Sequence, residues 1–337
     1  MDSEMKLLII GGTQFLGRAI VQNAIKKNIE VTIFNRGMSG PGLFPGVNRI
    51  TGDRNNDIEM LASHWDAVID TCGYFPSSVA KAVNQLKDRV KQYIFISSVS
   101  VYPDLSFSNI DEQTPTAKPE SPADLENTEG QTYGIRKRAC EEVLEKVFGD
   151  RATIIRPGLI VGPYDQTWRF PYWIDRINKG GNVLCPGDPF QKIQFIDVND
   201  LGRWLIHLAQ KKTTGVFNAV GPENRPTFEE FVRLSAKTLQ SDCTFTWVSE
   251  EFLLKHQIAP WIGLPLWVPK GAIGIHSVSN EKAKSAGLTY SPIAKTIKDT
   301  QEWITMNNLT PFDGYGISSG CENNLLREWE NTQQNNN

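Results

Sequence analysis

The sequence predicts an α/β fold: a doubly wound parallel sheet with a smaller, mostly C-terminal second domain. Three observations lead there. Short apolar runs alternate with segments of helical spacing through the first 160 residues, the signature of repeated βαβ units. The first such run passes directly into a glycine-rich turn that opens a helix. Beyond residue 160 the composition changes, and eight of the nine tryptophans (all but Trp65) lie there among Pro- and Gly-rich turns.

Lys6 to Ile10 is a short continuous apolar run, as a strand buried on both faces requires. Residues 11–28 follow with Leu16, Ile20, Val21, Ala24 and Ile25 at helical spacing. Val31 to Phe34, Asp66 to Asp70, Tyr93 to Ser97 and Ala152 to Arg156 repeat the strand signal, with helices predicted near 77–89 and 132–148. Later, helices near 199–210, 227–239, 280–286 and 293–305 alternate with strands near 193–196 and 216–219. There is no internal repeat. The tryptophans read as core of the smaller domain, with one or two near a cleft. Residues 331–337 are Gln/Asn-rich and predict a flexible tail.

Of the 337 residues, 40% are hydrophobic and 22% charged, an ordinary globular mix. Lys+Arg is 35 and Asp+Glu 38, a net charge of −3, which argues against a dedicated nucleic-acid or anionic-membrane binder. No apolar run approaches the roughly 18 residues of a membrane span, and the N-terminus is too acidic for a signal peptide. Five dispersed cysteines without C-x-x-C and four isolated histidines predict neither a disulfide framework nor a metal site. The expectation is a reduced, cytoplasmic, soluble protein.

The turn after the first strand reads Gly11-Gly12-Thr13-Gln14-Phe15-Leu16-Gly17. Glycines let the backbone approach a pyrophosphate, and the helix N-terminus adds free N–H groups and a positive dipole end. A P-loop is unlike this, because Arg18 and Ala19 stand where Lys and Ser/Thr belong. A carboxylate ending the second strand would bind the ribose hydroxyls of NAD. Here Asn35-Arg36 stands instead, and Arg36, with Arg18, suits a 2′-phosphate. NADP is therefore favoured over NAD, although a solvated loop arginine would fit the same residues. Tyr133 and Lys137, four apart, share one helix face, where a cation favours the phenolate and brings it nearer to acid–base work; a plain surface pair has the same spacing.

With these residues, the chain resembles the extended or atypical short-chain dehydrogenase/reductases, the NAD-dependent epimerase/dehydratase-like proteins. The resemblance rests on G-G-T-Q-F-L-G, I-S-S-V-S-V-Y (96–102), R-P-G-L-I-V-G-P (156–163), Q-F-I-D-V-N-D-L (194–201) and G-V-F-N-A-V-G (215–221). It implies a Rossmann-type NAD(P)-binding domain over 1–165, with 193–221 returning to the sheet, and a mainly substrate-binding domain over 166–330. It implies Ser98 as the serine that hydrogen-bonds the substrate oxygen and Tyr133 as general acid/base. Lys137 is implied as the residue that binds the nicotinamide ribose and lowers the Tyr133 pKa. Asp53, beside Arg54, matches a carboxylate that contacts adenine; Cys72-Gly73 and Pro157 border the cofactor. Two departures stand out: Gln14 replaces the middle glycine of the loop, and Val99-Ser100 replaces the Asp-Glu pair of the 4,6-dehydratases, which disfavours dehydration.

The leading expectation is an NADP-preferring oxidoreductase acting on a carbonyl or hydroxyl carbon, possibly of a nucleotide sugar. An epimerase retaining NAD is the second reading, and a cofactor-sensing or RNA-binding relative the third. Arg169, Lys192 and Arg225 are candidates for a substrate phosphate. The acidic segment 103–132 suits either a lid or a solvated loop. Relatives often pair through the Tyr133 helix and its neighbour, so a homodimer is expected.

Overall fold

The computed structural model describes residues 5–310 and 315–335. Seven parallel strands form the central sheet. In chain order they are β1 (Lys6–Ile10), β2 (Glu30–Asn35), β3 (Asn48–Thr51), β4 (Trp65–Asp70), β5 (Val90–Ile96), β6 (Ala152–Pro157) and the strand Gly215–Ala219. Across the sheet they run Gly215–Ala219, β6, β5, β4, β1, β2, β3. The order reverses between β1 and β4, and such a switch point opens a crevice at the strand C-termini.

The side-chain alternation of a strand places successive residues on opposite faces. Leu7 and Ile9 of β1 accordingly join one core, with α1 (Phe15–Lys26) and the helix Val198–Lys211. Leu8 and Ile10 join the other, with α2 (Pro76–Leu86) and α3 (Tyr133–Phe148). Burial on both faces explains why these strands read as unbroken apolar runs.

A further core gathers Trp168, Trp173 and Trp267 around the helices Arg169–Asn178, Phe228–Leu239 and Ile293–Met306. A two-stranded parallel sheet, Asn182–Pro186 with Thr244–Val248, lies beside them. Trp204 departs from expectation by packing in the central-sheet core. The helix Arg169–Asn178 was not predicted, because Pro171 reads as a breaker; in a first turn proline costs no intrahelical bond. Of the strand expected at 193–196, only Ile196–Asp197 pairs, with Ile160–Val161.

Residues 331–335, expected as a tail, finish the helix Ser319–Asn335; residues 336 and 337 lie outside the described set. Leu325 and Leu326 seat that helix in the tryptophan-rich core. Glu322 pins it by accepting from Arg176 Nε at 2.6 Å and from the Leu184 N–H at 3.0 Å. Among the described residues no helix is long and apolar enough to cross a membrane.

Candidate active site

The C-terminal ends of β1, β2 and β4 stand level, with Ile10 opposite both Phe34 and Asp70. The turns that follow therefore meet in one place. Gly12 takes φ +92°, and a Cβ on Gly17 would lie 2.6 Å from the Gly12 nitrogen, so the loop closes directly onto the first turn of α1. Asn35 latches this loop to the next: its Nδ2 donates to the Gly11 carbonyl and its Oδ1 accepts from the Gly37 N–H, both at 2.9 Å. The Thr13 and Ser39 hydroxyls add a second latch at 2.9 Å. Gln14 lies in extended backbone just before the helix with its side chain exposed, so it does not fill the loop.

A cavity of about 1180 Å³ runs from this loop to Tyr133 and on to the tryptophan-rich core. Its lining includes residues 11–17, Asn35, Arg36, Asp53, Arg54, Cys72, Ser98, Tyr133, Lys137, Pro157 and Arg169. Gly73 does not itself line it, but its carbonyl accepts from Lys137 Nζ at 2.8 Å. The Ile96 carbonyl, ending β5, takes a second N–H at 2.6 Å. Ser98 caps the short 3₁₀ turn Val99–Val101, accepting from the Ser100 N–H and donating to the Ser100 hydroxyl, both at 3.0 Å. The first turn of α3 sits hard against that turn, because a Cβ on Gly134 would lie 1.8 Å from the Ser100 carbonyl oxygen. Gly134 thus sets the approach of Tyr133 to Ser98.

The electrostatics correct one expectation. Burial is the main cause that pushes the Tyr133 phenol up to about 12; the Ser98 hydroxyl and the Arg169 charge pull it back only in part. Burial also pushes Lys137, only 2% exposed, down to about 8. Its ammonium lies 6.0 Å from the Tyr133 ring centroid, and the expected lowering of the phenol is not found.

Arg54 lines the cavity with its guanidinium committed to Asp70. Its two terminal nitrogens grip Asp70 at 2.8 and 2.9 Å, and the Tyr93 hydroxyl donates to the same carboxylate at 2.8 Å. Burial opposes the charge on Asp70, but Arg54 holds the carboxyl below its ordinary range. Cys72 lies against this pair, and burial raises its thiol. Asp53 caps its own turn, accepting from the Asn55 N–H at 2.7 Å. Arg36 is exposed at the cavity edge. Arg18 is not beside it: its guanidinium lies 3.8 Å from the Tyr164 ring centroid, in a separate cleft of about 230 Å³.

Of the three basic residues proposed for substrate, only Arg169 lines the cavity. Lys192 is half exposed beside Glu230 at 3.6 Å, and Arg225 donates to the His276 carbonyl at 2.7 Å. The acidic segment 103–132 is largely exposed, and of it only Gly130 lines the cavity, so it forms a solvated loop rather than a lid. Trp261 lines the cavity, as expected of one or two tryptophans, but sequence reasoning missed Ser97, Gly134 and Tyr315. Ser97 has a buried hydroxyl without a partner; it neighbours Ser98 in the motif, whereas Tyr315 carries no local signal. Among the described residues no three His, Cys, Asp or Glu side chains gather as a metal site.

The model of the NAD dependent epimerase/dehydratase family matches residues 7–220. A chloroplast stem-loop binding protein of 41 kDa from Arabidopsis thaliana is 27% identical over 255 residues, covering 70% of this chain and 64% of its own length. An epimerase family protein, SDR39U1 of Bos taurus, is 23% identical over 253 residues, covering 68% and 79%. Among solved structures, UDP-glucose 4-epimerase of Thermotoga maritima with UDP-glucose superposes at TM-score 0.67 and 17% identity, over 90% of this chain and all of that one. The enzyme WbmH of Bordetella bronchiseptica with NAD+ does so at 0.68 and 13%, over 91% and all.

Proposed function

The chain belongs to the NAD dependent epimerase/dehydratase family, and from that premise we propose that it is a nicotinamide-dependent oxidoreductase acting on a carbonyl or hydroxyl carbon, with NADP preferred to NAD. The observation that carries this reading is the convergence of Ser98, Tyr133 and Lys137 on a cavity that begins at the glycine loop.

The residues present fit a dinucleotide. Gly17 leaves no room for a side chain between loop and helix, and no side chain caps the N-terminus of α1. The buried Ser97 hydroxyl wants a partner, and Arg36 stands at the end of β2 where a 2′-phosphate would be met. Bound there, the nicotinamide group would supply a hydride for reduction or accept one in oxidation.

Lys137 spends two of its three N–H groups on carbonyls, which leaves the third for a ribose hydroxyl. Ser98 would donate to the substrate oxygen, and Tyr133 would give that oxygen its proton as the carbonyl becomes an alcohol. A phenol held near 12 keeps its proton at neutral pH, which suits the acid of a reduction. Tyr133→Phe tests the mechanism: with a substrate found by screening carbonyl compounds and nucleotide sugars, turnover should fall about 10²–10⁴-fold while cofactor affinity survives. Near-normal turnover in folded variant protein would sink it.

The second reading is an epimerase that retains NAD; its support is the family's name and UDP-glucose 4-epimerase among the structural neighbours. Tightly held NAD in the purified protein would favour it, and exchangeable NADPH would favour the reductase.

A further inference from the structure

At the substrate end the cavity holds much less positive charge than the sequence offered. Lys192 and Arg225 are turned away, so the lining cations are Arg36, Arg54, Lys137 and Arg169. Arg54 is neutralised by Asp70. Arg36 follows β2, three strands from β5, where Lys137 is tied. That leaves Arg169, the first residue of the helix Arg169–Asn178, on the side of the tryptophan-rich core.

Arg169 is built in. Its Nε donates to the Thr167 hydroxyl at 3.0 Å, and that hydroxyl donates to Asp165 Oδ1 at 2.6 Å. The Thr167 N–H reaches the same oxygen at 2.9 Å, and Asp165 is fully buried. Holding a guanidinium at Nε leaves its two terminal amino groups, the fork that matches a carboxylate. Among the described residues no acid pairs with it. The rings of Trp261 and Tyr315 flank it, their centroids 5.8 and 6.0 Å from its central carbon.

We infer that the substrate is a carbonyl or hydroxyl compound bearing a single carboxylate, gripped by the Arg169 fork with its flat or apolar part against Trp261 and Tyr315. One guanidinium answers one carboxylate. A nucleoside diphosphate brings two charges, and among the described lining residues no second free cation stands at this end. The inference rests on the oxidoreductase reading above.

The test uses the full-length protein with NADPH. Benzoylformate and pyruvate serve as acids, methyl benzoylformate as an uncharged counterpart and UDP-glucose as a diphosphate. Calorimetry reads binding, and absorbance reads NADPH oxidation. Benzoylformate should bind at least about tenfold more tightly than its ester, and Arg169→Gln should weaken it about 10- to 100-fold, the range for a charge-assisted pair. The ester and NADPH should bind as before, and Arg169→Lys should recover part of the loss. Equal binding of acid and ester overturns the inference, as does the absence of acid binding at millimolar concentration. So does UDP-glucose that binds more tightly than either acid and weakens in Arg169→Gln. The NADPH titration separates the two levels. Failure to bind nucleotide refutes the oxidoreductase reading, whereas normal nucleotide binding with indifference to the acids refutes the carboxylate site alone.

Discussion

Gly134→Ala probes whether the candidate chemistry hangs on one close approach. The new Cβ would lie 1.8 Å from the Ser100 carbonyl oxygen and 2.7 Å from its carbonyl carbon. Reaching even the 3.0 Å below which real Cβ contacts essentially never fall requires α3 and the turn 99–101 to part by about 1.2 Å. Alanine would by itself favour a helix by about 1 kcal/mol, but overpacking costs about 1–3 kcal/mol, so a net loss of up to about 2 kcal/mol is expected. The catalytic consequence is larger. Tyr133 immediately precedes Gly134, and Ser98 caps the turn that must move, so their separation changes by about an ångström; misplacement of that size costs about 10²-fold in rate. Urea unfolding measures the first quantity and turnover the second, with NADPH titration as a control on the rest of the cavity. A variant as stable as the parent, with unchanged turnover, would refute the claim that this contact sets the site.

Arg36→Ala should weaken NADPH by about 1.5–3 kcal/mol and leave NADH nearly unchanged; equal losses for both, or none, remove Arg36 as the 2′-phosphate ligand. Lys137→Met should change how stability depends on pH. The ammonium, ordinarily at 10.5, sits at about 8 when buried, so its penalty is fully present below pH 8. Between pH 8 and 10.5 the unfolded chain keeps a proton that the folded protein has released, so wild-type stability gains about 3 kcal/mol on the variant across that window. Urea titrations giving a pH-independent difference would show that the ammonium is not buried as described.

What sequence could tell about the site followed from how local each signal is. The strands announced themselves because both faces are buried, and the glycine loop because its turn and its helix are consecutive. Tyr133 and Lys137 stood four apart in one short motif, a spacing that already set them on one helix face, whereas Ser98, 35 positions before Tyr133, was implied only by the family resemblance. Side-chain direction was another matter. Arg18 is drawn to Tyr164, Arg54 to Asp70 and Lys192 to Glu230, partners 146, 16 and 38 positions away that no local pattern joins. The burial that reverses the expected tuning of Tyr133 is likewise a property of packing. Gly134 reads in sequence as a helix-weakening residue, and only the nearby Ser100 carbonyl shows why the space must stay empty.

The strand Gly215–Ala219 has a bearing on how the protein is dissected. It lies beside β6, yet the chain between them passes through the helix Arg169–Asn178 and the strand Asn182–Pro186 of the other core. A cut near residue 165 therefore would not release a finished nucleotide-binding half. It would strip β6 of its neighbour and bare a strand whose residues are all buried, an adhesive edge that invites pairing between molecules. Closing the sheet on that side needs residues roughly 60 positions apart to meet, a slow, non-local step late in synthesis. The two halves are best handled as one inseparable unit.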